Sequence, residues 1–169
     1  DIHLKADTGM GRIGFPLRTD FAQSIAEMME VCALPGLHMT GLFQHFAVAD
    51  DDSTENIAYT EEQYQLFLKA YRALKAAGHE PPLVHCDNSA GVMLHPDWPH
   101  GEITAPCMAR PGIILYGFDP SDEVRFDTFK PVMKLKTVVS MVKELQPGQS
   151  TSYGRRFTAE TPTKVATLC

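Results

Sequence analysis

Apolar and polar positions alternate at the start of the chain, and this period of two predicts a β-strand. In IHLKAD, Ile2 and Leu4 share one side of the strand, while His3, Lys5 and Asp7 share the other. The face with Ile2 and Leu4 is therefore suited to packing in a hydrophobic core. The opposite face is unusually polar and charged, and we expect it to carry chemistry.

A period near 3.6 replaces the alternation in FAQSIAEMMEVCAL (21–34) and TEEQYQLFLKAYRALKAAGH (60–79), and it predicts two amphipathic helices. The second helix is predicted to begin at Thr60, because Thr60 and Gln63 form a capping box, and to end at Gly78. Further predicted elements are a strand in LHMTGLFQHF (37–46), a strand in PLVHCD (82–87) and a short helix in NSAGVMLH (88–95). This strand–helix order predicts a parallel α/β arrangement.

The strand–helix order ends near residue 125. PVMKLKTVVSMVKEL (131–145) alternates, QPGQ marks a turn, and KVATLC (164–169) predicts another strand without a helix between them. We therefore predict two domains, an α/β domain over residues 1–125 and the start of an all-β domain over residues 126–169.

Composition narrows the function classes. The 169 residues are 44% hydrophobic and carry a formal net charge of −6 without a Lys/Arg-rich run, so we expect a folded core and no nucleic-acid partner. The chain has neither an apolar run of about eighteen residues nor a signal peptide, so we expect a soluble protein without a membrane partner, and the reduced thiols described next predict a cytoplasmic one. It begins without Met and inside a strand pattern, so we expect it to be part of a longer protein.

The cysteines and histidines give no metal signature. Four widely separated cysteines without a C-x-x-C pair indicate reduced thiols. His95 and His100 lie in HPDWPH, but prolines separate them and no third ligand is evident. We therefore predict an exposed loop at this segment and no metal site.

The glycines of DTGMGRIG have the spacing G-x-G-x-x-G of a dinucleotide-binding turn, formed by Gly9, Gly11 and Gly14. In such a turn the third glycine lies inside a helix, but Pro16 follows Gly14 too closely for a helix to continue. No acidic residue ends a following strand about twenty residues later, as the dinucleotide motif requires. A turn that presents charged side chains over one end of the sheet explains the segment better.

Five motifs occur in the order found in a known family. HLKADTGMGRIGF, GLFQHFAVAD, CDNSAG, ARPGIILYG and TSYGRRF resemble the corresponding stretches of the alanine racemases, and together they span nearly the whole chain. The resemblance implies an α/β fold: part of a (β/α)8 barrel of the TIM type with parallel strands, followed by the start of an all-β domain.

The resemblance also implies an activity. Alanine racemases are isomerases that use pyridoxal 5′-phosphate (PLP) and interconvert L- and D-alanine by two-base transfer of the α-proton. They supply D-alanine for cell-wall peptidoglycan, and they act as homodimers with an active site shared between subunits. The implied partners are therefore the small-molecule substrate alanine and a second copy of the chain.

Family roles fall on specific residues of this sequence. The resemblance implies that Arg110 faces the pyridine nitrogen of PLP, where a guanidinium only donates a hydrogen bond. Gly112 and Ile113 resemble residues that offer backbone N–H groups to the phosphate, and Ser89 would add a hydroxyl. His45 would contact Arg110 from behind and thus support it.

Three further roles are implied. Arg12 would reach the phenolic oxygen of PLP and the substrate carboxylate, and Lys5 is the candidate for a carbamylated lysine that holds Arg12. Tyr153 matches the family's catalytic tyrosine, which is an acid/base group in the active site of the partner subunit. A tyrosine needs nearby positive charge for this task, because its unperturbed pKa is near 10.

The family's PLP-bearing lysine lies in a motif like V-K-A-N-A-Y-G-H-G, which this sequence lacks, so we expect the isolated chain to be inactive. Three alternatives stay open. They are a serine or broad-specificity racemase, a fold-related PLP-dependent amino-acid decarboxylase, and a non-catalytic PLP-binding barrel. Decarboxylases usually place an acidic residue where this chain has Arg110, and the carriers lack the β domain.

Overall fold

The structure, a computed structural model, describes residues 1–98 and 101–169 and separates the chain into two units, 1–132 and 133–169. The first unit is built on a parallel sheet with the strand order β2–β1–β3–β4. Its strands are β1 (Ile2–Asp7), β2 (Phe15–Pro16), β3 (Met39–Phe43) and β4 (Val84–His85). Helix α1 (Phe21–Ala33) connects β2 to β3 and helix α2 (Thr54–Ala76) connects β3 to β4, whereas the loop 8–14 joins β1 to β2 without a helix.

Helix α2 packs one face on the sheet. The residues of this face recur every three or four positions and are all buried: Tyr64, Phe67, Leu68, Tyr71 and Leu74. The apolar stripe predicted for this segment is therefore confirmed. The sheet and α1 complete the core with Leu4, Ala6, Leu42, Val84, Ile25 and Met28.

The start of α2 differs from the prediction. The helix begins at Thr54, because the side chain of Ser53 caps it by accepting a hydrogen bond from the Asn56 N–H at 3.3 Å. Thr60 lies inside the helix and is buried, and among the described residues its Oγ1 has no hydrogen-bond partner. The capping box assigned to Thr60 and Gln63 was therefore wrong, since Ser53 provides an N-cap about two turns earlier.

The short helix α3 (Ser89–Leu94) is confirmed where the sequence predicted it. The Asn88 side chain caps it by accepting a hydrogen bond from the Gly91 N–H at 2.9 Å. In the following loop His95 stacks on Trp98 with 4.0 Å between ring centroids, whereas His100 lies outside the described residues. All four cysteines are free thiols.

The second unit contains two antiparallel pairs of strands. Strand β5 (Val139–Leu145) pairs with β8 (Thr163–Leu168), and β6 (Ser150–Thr151) pairs with β7 (Phe157–Thr158). The strand predicted over residues 131–145 thus begins only at Val139. No helix in the described part of the chain is long and apolar enough to cross a membrane.

Candidate active site

Three side chains form one row across the parallel sheet. Lys5 of β1 pairs with Phe43 of β3, and Phe43 pairs with His85 of β4. Residues in register on neighbouring parallel strands point to the same face, so the three side chains meet there. The Phe43 and His85 rings stack with 4.7 Å between centroids and an angle of 9°. The row lies near the carboxyl ends of the strands, where α/β folds bind their ligands.

Arg110 lies over this row. Its guanidinium carbon is 5.5 Å from the centroid of the Phe43 ring. One of its Nη1 protons is donated to Nδ1 of His85, and Nη2 donates to the Gln44 carbonyl at 2.7 Å and to Nδ1 of His45 at 3.2 Å. The side chain is therefore fixed by three acceptors that come from two different strand ends.

The two histidines can accept these hydrogen bonds because both are kept neutral. Burial, reinforced by the charge of Arg110 and by His3, lowers the pKa of His85 to about 4. Burial also lowers the pKa of His45, and the nearby cations, led by Arg110, add to the effect. Near neutral pH each ring thus offers an unprotonated Nδ1 to the guanidinium.

A buried network of amides holds the strand ends in place. Nε2 of Gln63 on α2 donates to the His45 carbonyl and to Thr8 Oγ1, both at 3.2 Å. Thr8 Oγ1 donates to Oε1 of Gln44 at 3.0 Å, and Nε2 of Gln44 donates to the Cys86 carbonyl at 3.3 Å. Gln44 and Gln63 are completely buried. Because every link is satisfied, the network rigidifies the platform under Arg110.

Lys5 is a buried amine among other cations. Its Nζ donates to the Ala6 carbonyl at 2.9 Å. Burial lowers the pKa of Lys5 from 10.5 to about 8; the charges of Arg110 and Arg12 lower it further, and Asp7 opposes them. A sizeable share of this amine is therefore neutral, and nucleophilic, at physiological pH.

The glycine-rich loop after β1 is held by Asp7. Oδ1 of Asp7 accepts hydrogen bonds from the N–H groups of Gly9 and Gly11, both at 3.0 Å. These are N–H groups that a pyrophosphate would need in a dinucleotide-binding turn, and here the chain's own carboxylate binds them. These two N–H groups of the loop are thus bonded within the chain itself.

One cavity collects five of the residues singled out in the sequence. It has a volume of about 240 Å³, and its lining includes His45, Ser89, Arg110, Gly112 and Ile113. Oγ of Ser89 accepts a hydrogen bond from the Gly112 N–H at 2.8 Å. The Ile113 N–H, at the start of a 3-10 helix (Ile113–Tyr116), has no acceptor among the described residues.

Three of the sequence-predicted residues, Lys5, Arg12 and Tyr153, are not among those that line this cavity. Arg12 is exposed and makes no hydrogen bond or ion pair with a described residue, although its charge lowers the pKa of Lys5 and of His45. Tyr153 belongs to the second unit, where its side chain is 99% exposed. His85, conversely, was not singled out in the sequence. A polar residue within the apolar strand PLVHCD is the signal that points to it.

Family models and known proteins match the chain over nearly its whole length. Residues 1–120 match the model described as alanine racemase, N-terminal domain, and residues 132–169 match alanine racemase, C-terminal domain. The chain is 40% identical over 169 residues to an alanine racemase of Desulforamulus reducens and 41% identical over 170 residues to one of Treponema pallidum. Each alignment covers 99% of this chain but 42% of the relative.

Solved structures give the same result. An alanine racemase from E. faecalis matches with a TM-score of 0.67 and 31% identity, and one from Bacillus anthracis with bound L-Ala-P matches with a TM-score of 0.64 and 31% identity. Both matches cover 98% of this chain and 41% of the other chain. The resemblance and the fold class predicted from the motifs are thereby confirmed. The chain spans about two fifths of the length of its relatives.

Proposed function

The chain belongs to the alanine racemase family, and from this premise we propose that the protein is a PLP-dependent racemase that interconverts L- and D-alanine. The observation that carries the proposal is the single cavity lined by His45, Ser89, Arg110, Gly112 and Ile113. These residues come from three separate motifs of the sequence, and the fold brings them to one place. The lining brings the Arg110 side chain, the Ser89 hydroxyl and the backbone of Gly112 and Ile113 to one cavity.

The hydrogen bonding of Arg110 fits a pyridine nitrogen. A guanidinium has five N–H donors, and His85, Gln44 and His45 accept from its two terminal nitrogens. Among residues 1–98 and 101–169 no acceptor binds its Nε–H. We propose that this donor binds the ring nitrogen of PLP. Because a guanidinium does not release its proton, Arg110 would hold that nitrogen in place without protonating it.

Other groups in the lining of this cavity fit a phosphate. The hydroxyl of Ser89 is an available donor, since within the described residues its oxygen only accepts, from the Gly112 N–H. The Ile113 N–H has no acceptor in that part of the chain. We propose that Ser89, Gly112 and Ile113 bind the phosphate, with Gly112 exchanging its bond to Ser89 for one to a phosphate oxygen.

Bound PLP supplies an electron-withdrawing ring that makes the α-proton of the amino acid acidic. For Tyr153 we propose the acid/base role on one face of the substrate, carried out in the active site of a second copy within a homodimer. Its phenol is fully solvent-accessible in this unit and therefore available to such a site.

For the cationic pair we propose a modification. Lys5 would react as a neutral amine with CO2, forming an N–C bond and releasing one proton to give a carbamate. The product is an anion, so the repulsion between Lys5 and Arg12 becomes an attraction. Arg12, held in this way, would bind the substrate carboxylate and the phenolic oxygen of the cofactor.

The finer assignments belong to the same proposal. The α/β domain would cover residues 1–125 and the β domain would begin at 126. The complete enzyme would be cytoplasmic and would supply D-alanine for peptidoglycan, and this chain alone would be inactive. The division of the chain into units 1–132 and 133–169 supports two domains, with a boundary later than the proposed one, and the family membership supports the other assignments.

A deuterium-exchange experiment tests the proposed reaction. A complete racemase carrying this chain is incubated with PLP in D₂O, with L-alanine in one sample and D-alanine in the other. Deuterium at Cα and loss of optical purity from both enantiomers are expected. If neither enantiomer exchanges, alanine racemisation is refuted, and serine and basic amino acids become the next substrates.

A further inference from the structure

The two histidines His3 and His85 are in direct contact. Nδ1 of His3 on β1 lies 2.7 Å from Nε2 of His85 on β4, and the ring centroids are 5.0 Å apart. The two residues are 82 positions apart in the sequence, and strand β3 lies between their strands in the sheet. The contact therefore spans the sheet above β3 and ends on the ring that binds Arg110.

The chemistry of Arg110 sets the direction of each hydrogen bond. The guanidinium only donates, so Nδ1 of His85, which contacts it, carries no proton. A neutral His85 then has its proton on Nε2 and donates it to Nδ1 of His3. His3 in turn carries its own proton on Nε2 when it is neutral. With one tautomer of each ring, each contact in the series from Arg110 through His85 to His3 has a donor and an acceptor.

Gly41 makes room for this arrangement. His3 pairs in register with Gly41 on β3, and its ring lies over the glycine. A Cβ at position 41 would stand 2.8 Å from both Cε1 and Nδ1 of His3. A side chain at this position would push the His3 ring away from His85. Gly41 is thus the position at which the contact can be broken without changing either histidine.

We propose that His3 is a positioning residue of the active site. By accepting the Nε2 proton of His85, it stabilises the Nε2–H tautomer that Arg110 requires and holds the orientation of the ring that aims the Arg110 guanidinium. Phe43 stacks on one face of His85, but stacking alone leaves the ring free to flip about its Cβ–Cγ bond. The hydrogen bond from His85 to His3 removes that freedom. The proposal rests on the proposed function, because His3 would act by holding the orientation in which Arg110 binds the cofactor.

Four variants of a complete racemase carrying this chain test the proposal. His3→Asn keeps an acceptor near the position of Nδ1, whereas His3→Phe keeps a ring and removes the acceptor. Gly41→Ala displaces the unchanged His3 ring. His38→Phe, at an exposed position, is the matched control. Each is labelled with ¹⁵N-histidine, and the His85 signals are assigned with a His85→Gln variant.

The ¹⁵N spectra report the tautomer of His85 without any cofactor. We expect one Nε2–H form in the parent protein, in His3→Asn and in His38→Phe. In His3→Phe and Gly41→Ala we expect averaged or doubled His85 signals. With PLP, these two variants should lose about tenfold in kcat with a smaller change in KM, while His3→Asn retains most of the activity.

Two results would overturn the proposal. The first is an unchanged His85 spectrum in His3→Phe, which would mean that Arg110 and Phe43 suffice to hold the ring. The second is an equal loss of activity and of thermal stability in His3→Asn and His3→Phe, which would reduce His3 to a structural role. The proposed function is tested separately, by α-proton exchange. A protein with the expected ¹⁵N spectra but no α-proton exchange would support the contact between His3 and His85 and refute the proposed racemase activity.

Discussion

Gly14 lies directly against Lys5. A Cβ on Gly14 would stand 2.5 Å from Cγ of Lys5 and 2.6 Å from its carbonyl oxygen, and the backbone of Gly14 has a φ of +109°. Only glycine fits both the contact and the backbone conformation. The last glycine of the loop thus allows the chain to fold back over the buried lysine. The glycine spacing and the cations beside it are parts of one arrangement.

Gly14→Ala is therefore expected to destabilise the protein. Backbone strain and the clash with Lys5 together should cost about 3 kcal/mol or more in the free energy of unfolding. Gly36→Ala is the matched control, because Gly36 has a φ of +83° but no atom within 4 Å of its Cβ position, so about 1 kcal/mol is expected. Urea denaturation of both variants measures the difference. Equal losses would contradict the close contact.

Lys5 is expected to form a carbamate. With a pKa of about 8, about a quarter of the amine is neutral at pH 7.5, against about one part in a thousand for an ordinary lysine. In ¹³C-bicarbonate at pH 8 a carbamate carbon signal should appear and should decrease as the pH falls to 6, because protonation removes the nucleophile. Lys5→Arg should abolish the signal and Lys69→Arg should leave it. A signal that survives Lys5→Arg would refute the assignment.

Asp7 is expected to stabilise the glycine-rich loop through its carboxylate oxygen. Asp7→Ala removes the acceptor of two backbone N–H groups and should cost about 1–3 kcal/mol of stability. Asp7→Asn keeps an acceptor oxygen and should lose about half as much or less. Thermal denaturation of the two variants checks this order. An equal loss of stability in Asp7→Asn and Asp7→Ala would mean that the charge of Asp7, and not its hydrogen bonding, stabilises the loop.

Arg110→Gln is expected to raise the pKa of His85 from about 4 toward its ordinary value of 6.5. The positive neighbour disfavours the imidazolium, so its removal makes protonation easier; burial, the larger cause, remains. The pKa of His45 should rise as well, since Arg110 lowers it. NMR titration of the histidine rings measures both. Arg18→Gln, on the surface beside Glu62, should shift neither.

Tyr153→Phe tests the acid/base role in a complete racemase. We expect a sharp loss of racemisation, with α-proton exchange slowed far more from one alanine enantiomer than from the other, because a tyrosine on one face serves one proton transfer. Exchange in D₂O from each enantiomer is the measurement, and Tyr116→Phe is the control. A modest and equal loss from both enantiomers would refute the two-base assignment of Tyr153.

Elements with a local signature could be predicted from the sequence. Strand β1, helix α1 and the short helix α3 all arise from short-range patterns, and each is present where it was expected. The start of α2 was missed because Ser53 lies in an acidic run that is typical of a solvated loop. A capping residue is recognised by the apolar periodicity of the residues after it, and the first turn of α2 is largely polar.

The site depends on contacts that no local pattern contains. Arg110 and His45 were paired only through the family resemblance. The place of His85 between Arg110 and His3 needs the register of three strands, and a single sequence does not specify this register. His3 was recognised only as part of a polar strand face. Arg110, His45 and His3 could thus be recognised from the sequence, whereas His85 and the order in which the four residues contact one another could not.

The row formed by Lys5, Phe43 and His85 has a consequence for how such a site changes during evolution. The three residues are 38 and 42 positions apart, and helical crossovers fill both intervals. Insertions and deletions within the crossovers leave the row intact, so the lengths of the crossovers can change during evolution. A deletion of one residue within β3 would turn Phe43 to the other face of the sheet and break the row. Selection on this candidate site would therefore act on the register of very short strands, and the long helices between them would be comparatively free to diverge.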